Sequence, residues 1–313
     1  MEQALANLEV FAATLLELAR EDSDVLVVTS DSRGSAKLAP FAKAAAGQIV
    51  EVGIAEQNLV GVAAGLTAAG KKVFAVSPAC FLTARSLEQI KNDVCYSDRP
   101  VKLVGISAGV SYGALGTTHH SLHDYAVLRA IHNITIVAPA DNFEARAAVR
   151  AAANLAEPVY LRFGKKSMPH LPRVKPGFEL GKASLIREGK DLSFLACGEA
   201  VAPAFAAAEL LAKESIECRV VSLHTVKPLD REAVRKAATE TRGVITVEEH
   251  SVNGGLGEAC AALLLQEGIH ARFRIVGFPD EHTVTGSQEE IFRHYGIDGP
   301  GLAATARSLL VRA

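Results

Sequence analysis

The chain has 313 residues, 49% of them apolar and 22% charged, which is typical of a globular protein long enough for two domains. The formal net charge is −2, with acids and bases mixed along the chain, so we expect no nucleic-acid partner. No apolar run reaches the roughly 18 residues that span a bilayer, and the N-terminal stretch has helical spacing rather than a signal-peptide pattern, so we expect no membrane contact.

The first half of the chain alternates β-rich runs with alanine-rich helical stretches. Most of the β-rich runs lack strict polar–apolar alternation, as expected for strands buried on both faces. The pattern predicts strands at residues 25–31, 48–52, 71–78, 101–107, 134–141 and 159–164, and helices at about 4–20, 55–69, 81–95, 121–131 and 142–155. This order favours a doubly wound, mainly parallel α/β sheet over residues 1–168.

A segment with three prolines and no clear periodicity follows, and we interpret residues 169–182 as a linker. The alternation then resumes over residues 183–313. Strands are predicted in LSFLACG, CRVVSLHTV, GVITVEEH and RFRIVGF, with helices at about 201–213, 230–239 and 255–267. The sequence therefore predicts a second, smaller α/β domain.

The five cysteines are scattered and have no CxxC spacing, so we expect neither a disulfide framework nor a zinc site. A reducing cytoplasm is the predicted location.

Residues 50–58 read VEVGIAEQN and place an acid, Glu56, where a helix of small residues begins. One interpretation is helix capping, because a helix N-terminus favours a carboxylate by about 0.3–1 kcal/mol. The alternative is that desolvation in a small-residue pocket favours a neutral carboxyl group able to donate a proton near pH 7. The pattern by itself leaves both interpretations open.

Three histidines follow a Gly/Thr-rich loop in GALGTTHHSLHD, at residues 113–124. His119 and His123 have the spacing of a helical metal pair, but no HExxH pattern is present, so we predict no metal ligand. Ligands of open α/β sheets bind beyond the carboxyl ends of strands, which favours a substrate-binding or acid–base role for His119. For His120 and His123, packing or surface roles are at least as well supported.

Phe81 opens a predicted helix directly after the strand at residues 71–78. Core packing is the ordinary role of such a residue. At the carboxyl end of a strand, in a chain with only 5% aromatic residues, Phe81 could also face a flat ligand ring.

Four segments in order resemble the transketolase family: VGIAEQN, GTTHH, VKPLD (226–230) and VEEHSVNGGLGEA. The resemblance is to the C-terminal half of that family, and it implies a mainly parallel pyrimidine-binding domain followed by a smaller, mixed-sheet C-terminal domain. Full-length members bind Mg²⁺ and the tail of thiamine diphosphate through GDG and a downstream Asn, and no GDG occurs here. The chain thus resembles the C-terminal subunit of a split transketolase, which implies an N-terminal partner subunit and an α₂β₂ assembly.

The resemblance also implies site residues. Glu56 would hydrogen-bond the aminopyrimidine of thiamine diphosphate and help to remove the thiazolium proton. Phe81 would stack on the same ring, and His119 would contact the donor sugar. The expected activity is transfer of a two-carbon ketol unit from a ketose to an aldose phosphate. The alternatives are the beta subunit of a 2-oxo-acid dehydrogenase complex and a 1-deoxyxylulose-5-phosphate-synthase-like enzyme.

Further residues are expected at the ends of the site. Asp31 is expected to contribute to cofactor binding. Ser35 in SDSRGS and Arg162 in YLRFG match positions that bind the far end of a sugar phosphate, and Arg162 could pair with an anion through two hydrogen bonds.

Three positions depart from the family pattern. Leu115 stands where transketolases have an aspartate that reads a substrate hydroxyl, Ser107 where they have a histidine, and Asn7 or Leu8 where they have an arginine. Because losing a polar partner costs binding energy, we expect an unusual sugar, such as a branched, unphosphorylated or sulfonated one.

Overall fold

The computed structural model describes residues 4–311 and contains two α/β domains, each built on one sheet. The strands are β1 (Val25–Thr29), β2 (Ile49–Glu51), β3 (Lys72–Pro78), β4 (Lys102–Ile106), β5 (Thr135–Val137), β6 (Val159–Phe163), β7 (Ser184–Arg187), β8 (Leu192–Ala196), β9 (Cys218–Ser222), β10 (Thr225–Lys227), β11 (Val244–Ser251) and β12 (Phe273–Phe278).

The helices lie between these strands and after the last one. They are α1 (Asn7–Glu21), α2 (Ala39–Ala44), α3 (Glu56–Ala68), α4 (Ala79–Arg85), α5 (Leu87–Gln89), α6 (Asp124–Arg129), α7 (Asn142–Asn154), α8 (Val201–Ala212), α9 (Arg231–Glu240), α10 (Leu256–Gln266), α11 (Gln288–His294) and α12 (Gly299–Val311). A π-helical segment, Ile90–Tyr96, follows α5. No helix among residues 4–311 has the length and apolarity needed to cross a bilayer.

The first sheet has seven strands in the order β10-β5-β6-β4-β3-β1-β2, and all its pairs are parallel except β10 with β5. In its centre, Val104 of β4 is in register with Val76 of β3 and Leu161 of β6, and all three are fully buried. One face packs on α1 and α7, and the opposite face packs on α3 and α4. The predicted doubly wound sheet is therefore confirmed.

The second sheet has the order β12-β11-β8-β9-β7 and is mixed, because β7 runs antiparallel to β9. Helices α8 and α12 pack on one face around a core that includes Phe194 and Leu302. The other face shares a continuous core with the first domain, since Val221 and Leu256 belong to the same cluster as Leu59 and Ile136.

Three predicted elements differ in the structure. The strand predicted in CRVVSLHTV is two strands: β9 stays in the second sheet, while β10 joins the first. The strand predicted at 134–141 ends at Val137, and the chain then bends to Asp141, whose side chain caps the N-terminus of α7. The helix predicted at 81–95 is interrupted at Ser86, whose hydroxyl donates to the Leu82 carbonyl and competes with the helical pattern.

A buried polar network joins the two domains beside the carboxyl ends of the first sheet. Arg162 of β6 donates its Nε to Asp124 Oδ2 at 2.8 Å and its Nη2 to the Glu249 carbonyl of β11 at 2.8 Å. Tyr160 donates its hydroxyl to the same Asp124 oxygen at 2.8 Å. Burial opposes the ionisation of Asp124, but Arg162 and His250 outweigh it and hold the pKa of that carboxyl below its usual 3.8.

We expect Asp124→Asn to lower the free energy of unfolding by about 3–5 kcal/mol, because it removes the carboxylate closest to the buried Arg162 guanidinium and leaves only Glu249 Oε2, at 3.6 Å, as a counter-charge among the described residues. The measurement is urea denaturation at pH 7, compared with Glu214→Gln. Glu214 pairs with Arg307 where both side chains are 44% exposed and water screens their charges, so this control should change the stability far less than Asp124→Asn does.

The difference between Asp124→Asn and the wild type should also depend on pH. Since the folded-state pKa of Asp124 is lowered, the stability from its carboxylate is complete above pH 3.8 and is lost as the pH falls through the lower folded value. The gap should therefore shrink in acid. A gap at pH 7 no larger than that of Glu214→Gln would contradict the role given to the network.

Candidate functional site

Glu56 is the first residue of α3 and lies just past the carboxyl end of β2. Its side chain is 4% exposed. Both carboxylate oxygens accept from Arg85 Nη1, at 2.9 and 3.0 Å, and these are the hydrogen bonds that the carboxylate makes within residues 4–311. The helix dipole favours its charge, but the carboxylate turns to a side chain rather than to the helix amides.

Phe81 and Arg85 lie one turn apart on α4, which begins directly after β3. The i,i+4 spacing places both side chains on one face of the helix. The Arg85 guanidinium carbon lies 4.4 Å from the centre of the Phe81 ring, in a cation–π contact. The helices that follow β2 and β3 thus bring the buried Glu56 carboxylate close to the ring face of Phe81.

His119 reaches the same place from the loop after β4. Its ring meets Phe81 edge-to-face, with centroids 5.3 Å apart, and meets Tyr112 in the same way at 5.4 Å. Its Nδ1 lies 2.9 Å from Thr118 Oγ1. The structure therefore brings together Glu56, Phe81 and His119, with Arg85 joining the first two.

The second domain holds the loop that carries His119. The Val110 amide donates to Glu249 Oε1 at 3.0 Å, and His120 Nδ1 lies 3.1 Å from Thr283 Oγ1. Gly109 has φ +62°, which favours glycine, and a Cβ there would come within 2.1 Å of the Glu249 carboxyl carbon, so a larger residue would have to displace this carboxylate. Burial lowers the pKa of His120, which keeps its imidazole neutral in this contact at pH 7.

A cleft of about 380 Å³ lies between the two domains beside these residues. Phe81, Arg85 and Thr118 line it from the first domain, and Asp280 and Glu281 line it from the second. No group of three or more His, Cys, Asp and Glu side chains in the described part of the chain is arranged to hold a metal ion.

Asp31 and Ser35 lie in the loop after β1, apart from this group. Asp31 is exposed with φ +51°, and its amide donates to Glu51 Oε1 at 2.7 Å. The Ser35 hydroxyl donates to the Ser32 carbonyl at 3.1 Å. Within residues 4–311, no hydrogen bond or ring contact joins either residue to Glu56, Phe81 or His119.

Arg162 is placed differently from the sequence-based expectation. It is 5% exposed, and its guanidinium is occupied by Asp124, Glu249 and the Ser121 carbonyl. It also lies over the Tyr125 ring, 4.7 Å from its centre. The structure therefore does not bring this cation to the cleft as a free partner for an anion.

The positions that depart from the family pattern also differ in exposure. Leu115 is 55% exposed on the loop that carries His119, whereas Ser107, Asn7 and Leu8 are buried. Sequence reasoning missed Arg85, Tyr112 and Glu249. Of these, Arg85 could have been predicted from the sequence, because it follows Phe81 by four residues and therefore lies on the same face of the predicted helix.

Comparison with known proteins agrees with this architecture. The model of the transketolase pyrimidine-binding domain matches residues 3–170, and the model of the transketolase C-terminal domain matches residues 181–302. The chain is 49% identical over 297 residues to one of the subunits of the apulose-4-phosphate transketolase of Phocaeicola vulgatus, covering 95% of each chain.

Two further relatives are similar over nearly their whole length. A 6-deoxy-6-sulfo-D-fructose transketolase subunit of a Clostridium species is 36% identical, with 97% of this chain and 94% of that one covered. A solved structure described as a split-gene transketolase, inactive beta4 tetramer, is 36% identical with a TM-score of 0.87, covering 98% and 99%. The chain therefore belongs to the transketolase family, as a C-terminal subunit made of the pyrimidine-binding domain and the C-terminal domain.

Proposed function

We propose that this chain is the pyrimidine-binding subunit of a two-chain, thiamine-diphosphate-dependent transketolase, which moves a two-carbon ketol unit from a ketose to an aldose phosphate. The observation that carries the proposal is the meeting of Glu56, Phe81 and His119 at one edge of the first sheet. The resemblance to the family implies a role for each of the three in binding the cofactor or the sugar.

The geometry fits an aminopyrimidine ring. The Arg85 guanidinium, a planar group with N–H donors, already lies on Phe81 while bonded to the buried Glu56 carboxylate. A flat heterocycle with a ring N–H would satisfy the same two contacts. When bound, thiamine diphosphate supplies the nucleophilic carbon that cleaves a bond next to a carbonyl group.

The chain's own residues would bind and orient the reactants. Glu56 would accept a hydrogen bond from the ring nitrogen and hold its proton, in a place where water has little access. Phe81 would fix the plane of the ring. His119 would hydrogen-bond the oxygens of the donor sugar, because its edge-to-face contacts with Phe81 and Tyr112 set the direction of its imidazole.

The diphosphate and Mg²⁺ would be held by an N-terminal partner subunit that carries the GDG and Asn motif, since this sequence has no GDG. We propose an α₂β₂ assembly, and the structural relative that is named as an inactive tetramer of four beta chains supports the need for a second kind of subunit. The five cysteines are free thiols, which suits a reducing compartment such as the cytoplasm, where we place the complex.

We propose domain bounds of 1–168 and 183–313, joined by the linker 169–182. The linker is fastened to the first domain, because Arg173 donates to Asp141 at 2.6 and 2.9 Å. Because Arg162 is already paired, it would support the site by joining the two domains. Ser35 would then be the residue that contacts the sugar phosphate. Asp31 would contribute to cofactor binding from the loop after β1, where its amide donates to Glu51 Oε1.

For the donor, we propose a ketose with an anionic tail, and apulose 4-phosphate is the first to test. Support comes from the relative at 49% identity, whose name gives that sugar. The relative named for a sulfonated sugar makes 6-deoxy-6-sulfofructose the second. Leu115 in place of an aspartate is consistent with a donor that lacks an ordinary hydroxyl at that point.

The direct test is Glu56→Gln in the complex reconstituted with the partner subunit. We expect kcat for ketol transfer to ribose 5-phosphate or glyceraldehyde 3-phosphate to fall at least about 100-fold, because the amide cannot hold the ring proton as the carboxylate does. Glu88→Gln, a change on the neighbouring α5, is the matched control and should leave kcat unchanged. Near wild-type transfer by Glu56→Gln would refute the assignment, and acceptor-dependent decarboxylation of pyruvate would favour 2-oxo-acid chemistry instead.

A second test concerns substrate choice at Leu115. We expect Leu115→Asp to raise kcat/KM for xylulose 5-phosphate relative to apulose 4-phosphate by about tenfold, because a hydrogen bond to a charged group contributes about 1.5–3 kcal/mol. Leu115→Ala removes the same side chain without adding an acceptor and should not favour xylulose 5-phosphate. If the ratio of kcat/KM for xylulose 5-phosphate to that for apulose 4-phosphate is the same in both variants, position 115 does not determine the choice of sugar.

A further inference from the structure

Arg85 makes an unusual ion pair for its degree of exposure. Its side chain is 49% exposed, whereas the Glu56 carboxylate to which it donates is 4% exposed. A surface arginine thus reaches inward to a buried acid and, on the way, covers the face of Phe81. Elsewhere in the described chain, Arg146 pairs with Glu17 at the same 2.9 and 3.0 Å, with the same 49% exposure of the arginine, but its acid is 37% exposed.

Burial makes the Glu56 carboxylate dependent on a partner. An ionised acid that loses water without gaining a donor is costly, whereas an exposed acid such as Glu17 can return to water. In the chain alone, Arg85 supplies that donor to both oxygens.

The same atoms are the ones that the proposed function assigns to the cofactor ring. Both carboxylate oxygens accept from a single Arg85 nitrogen, and one face of Phe81 is covered by the guanidinium. A ring that stacks on that face and donates to that carboxylate cannot share the space with the guanidinium. On the basis of the proposed function, we propose that Arg85 occupies the aminopyrimidine site as an internal substitute for the ring, and that it leaves when thiamine diphosphate binds.

The cleft provides a place for the displaced side chain. Arg85 already lines it, and Asp280 and Glu281 of the second domain line the same cleft with exposed carboxylates. A guanidinium that leaves Glu56 and turns into the cleft would thus enter a space that is also lined by acidic side chains. Binding of the ring then breaks the Glu56–Arg85 ion pair, which weakens the affinity for the cofactor. A chain without Arg85 has no such pair to break.

The test compares Arg85→Met with the matched control Arg146→Met in the complex assembled with its partner subunit. The dissociation constant for thiamine diphosphate is measured by calorimetry at saturating Mg²⁺, without sugar. We expect Arg85→Met to tighten binding about five- to tenfold, where tenfold corresponds to about 1.4 kcal/mol, and Arg146→Met to leave it unchanged. Arg85→Lys, which keeps the charge but loses the planar stacking group, should lie between Arg85→Met and the wild type. An unchanged or weaker affinity of Arg85→Met would overturn the proposal.

A double-mutant cycle of Glu56→Gln and Arg85→Met supplies a second measurement, the unfolding midpoint. The two changes should be coupled in the cofactor-free chain and additive in the cofactor-saturated complex. Additivity in both states would overturn the proposal, as would equal coupling in both. Failure of the proposed function and failure of the role of Arg85 give different results. Full ketol transfer by Glu56→Gln refutes the proposed function. If Glu56→Gln loses transfer but Arg85→Met binds the cofactor with unchanged affinity, only the role of Arg85 is refuted.

Discussion

The Arg162 guanidinium fixes the two domains against each other, and the candidate site depends on that arrangement. It pairs with Asp124 at the start of α6 and with the Glu249 carbonyl on β11, all three of them buried. Glu249 in turn accepts from the Val110 amide and packs against Gly109. The loop between β4 and α6 is therefore held from the second domain, which gives that domain a physical role in a site whose acid and aromatic ring both belong to the first.

The site itself follows from the topology of the parallel sheet. Strands β2, β3 and β4 end at the same edge, and the segments that leave them supply Glu56, Phe81 and His119, respectively. The arrangement presents a carboxylate, one aromatic face and an imidazole, but no GDG motif for a diphosphate occurs in the sequence. In the proposed two-chain transketolase, the partner subunit would contribute the remaining contacts to the cofactor.

The sequence predicted the mainly parallel sheet, because that prediction depends on local apolar runs. The shared site of Glu56, Phe81 and His119 was implied only by the family resemblance of the motifs at strand ends. The sequence could not predict the burial of Arg162, whose partners Asp124 and Glu249 lie 38 and 87 residues away. For the same reason it missed that β10 crosses to the first sheet. The short edge strand β7 and the terminal helices α11 and α12 carried patterns too weak to identify them before the fold was known.

In the proposed enzyme, thiamine diphosphate binds between this chain and a separate partner. The most direct measurement is equilibrium dialysis of thiamine diphosphate with Mg²⁺ against this chain, against the GDG-bearing subunit, and against their mixture. We expect tight binding in the mixture alone, with about one cofactor per pair of chains. Tight binding by this chain by itself, or no gain on mixing, would contradict the proposal.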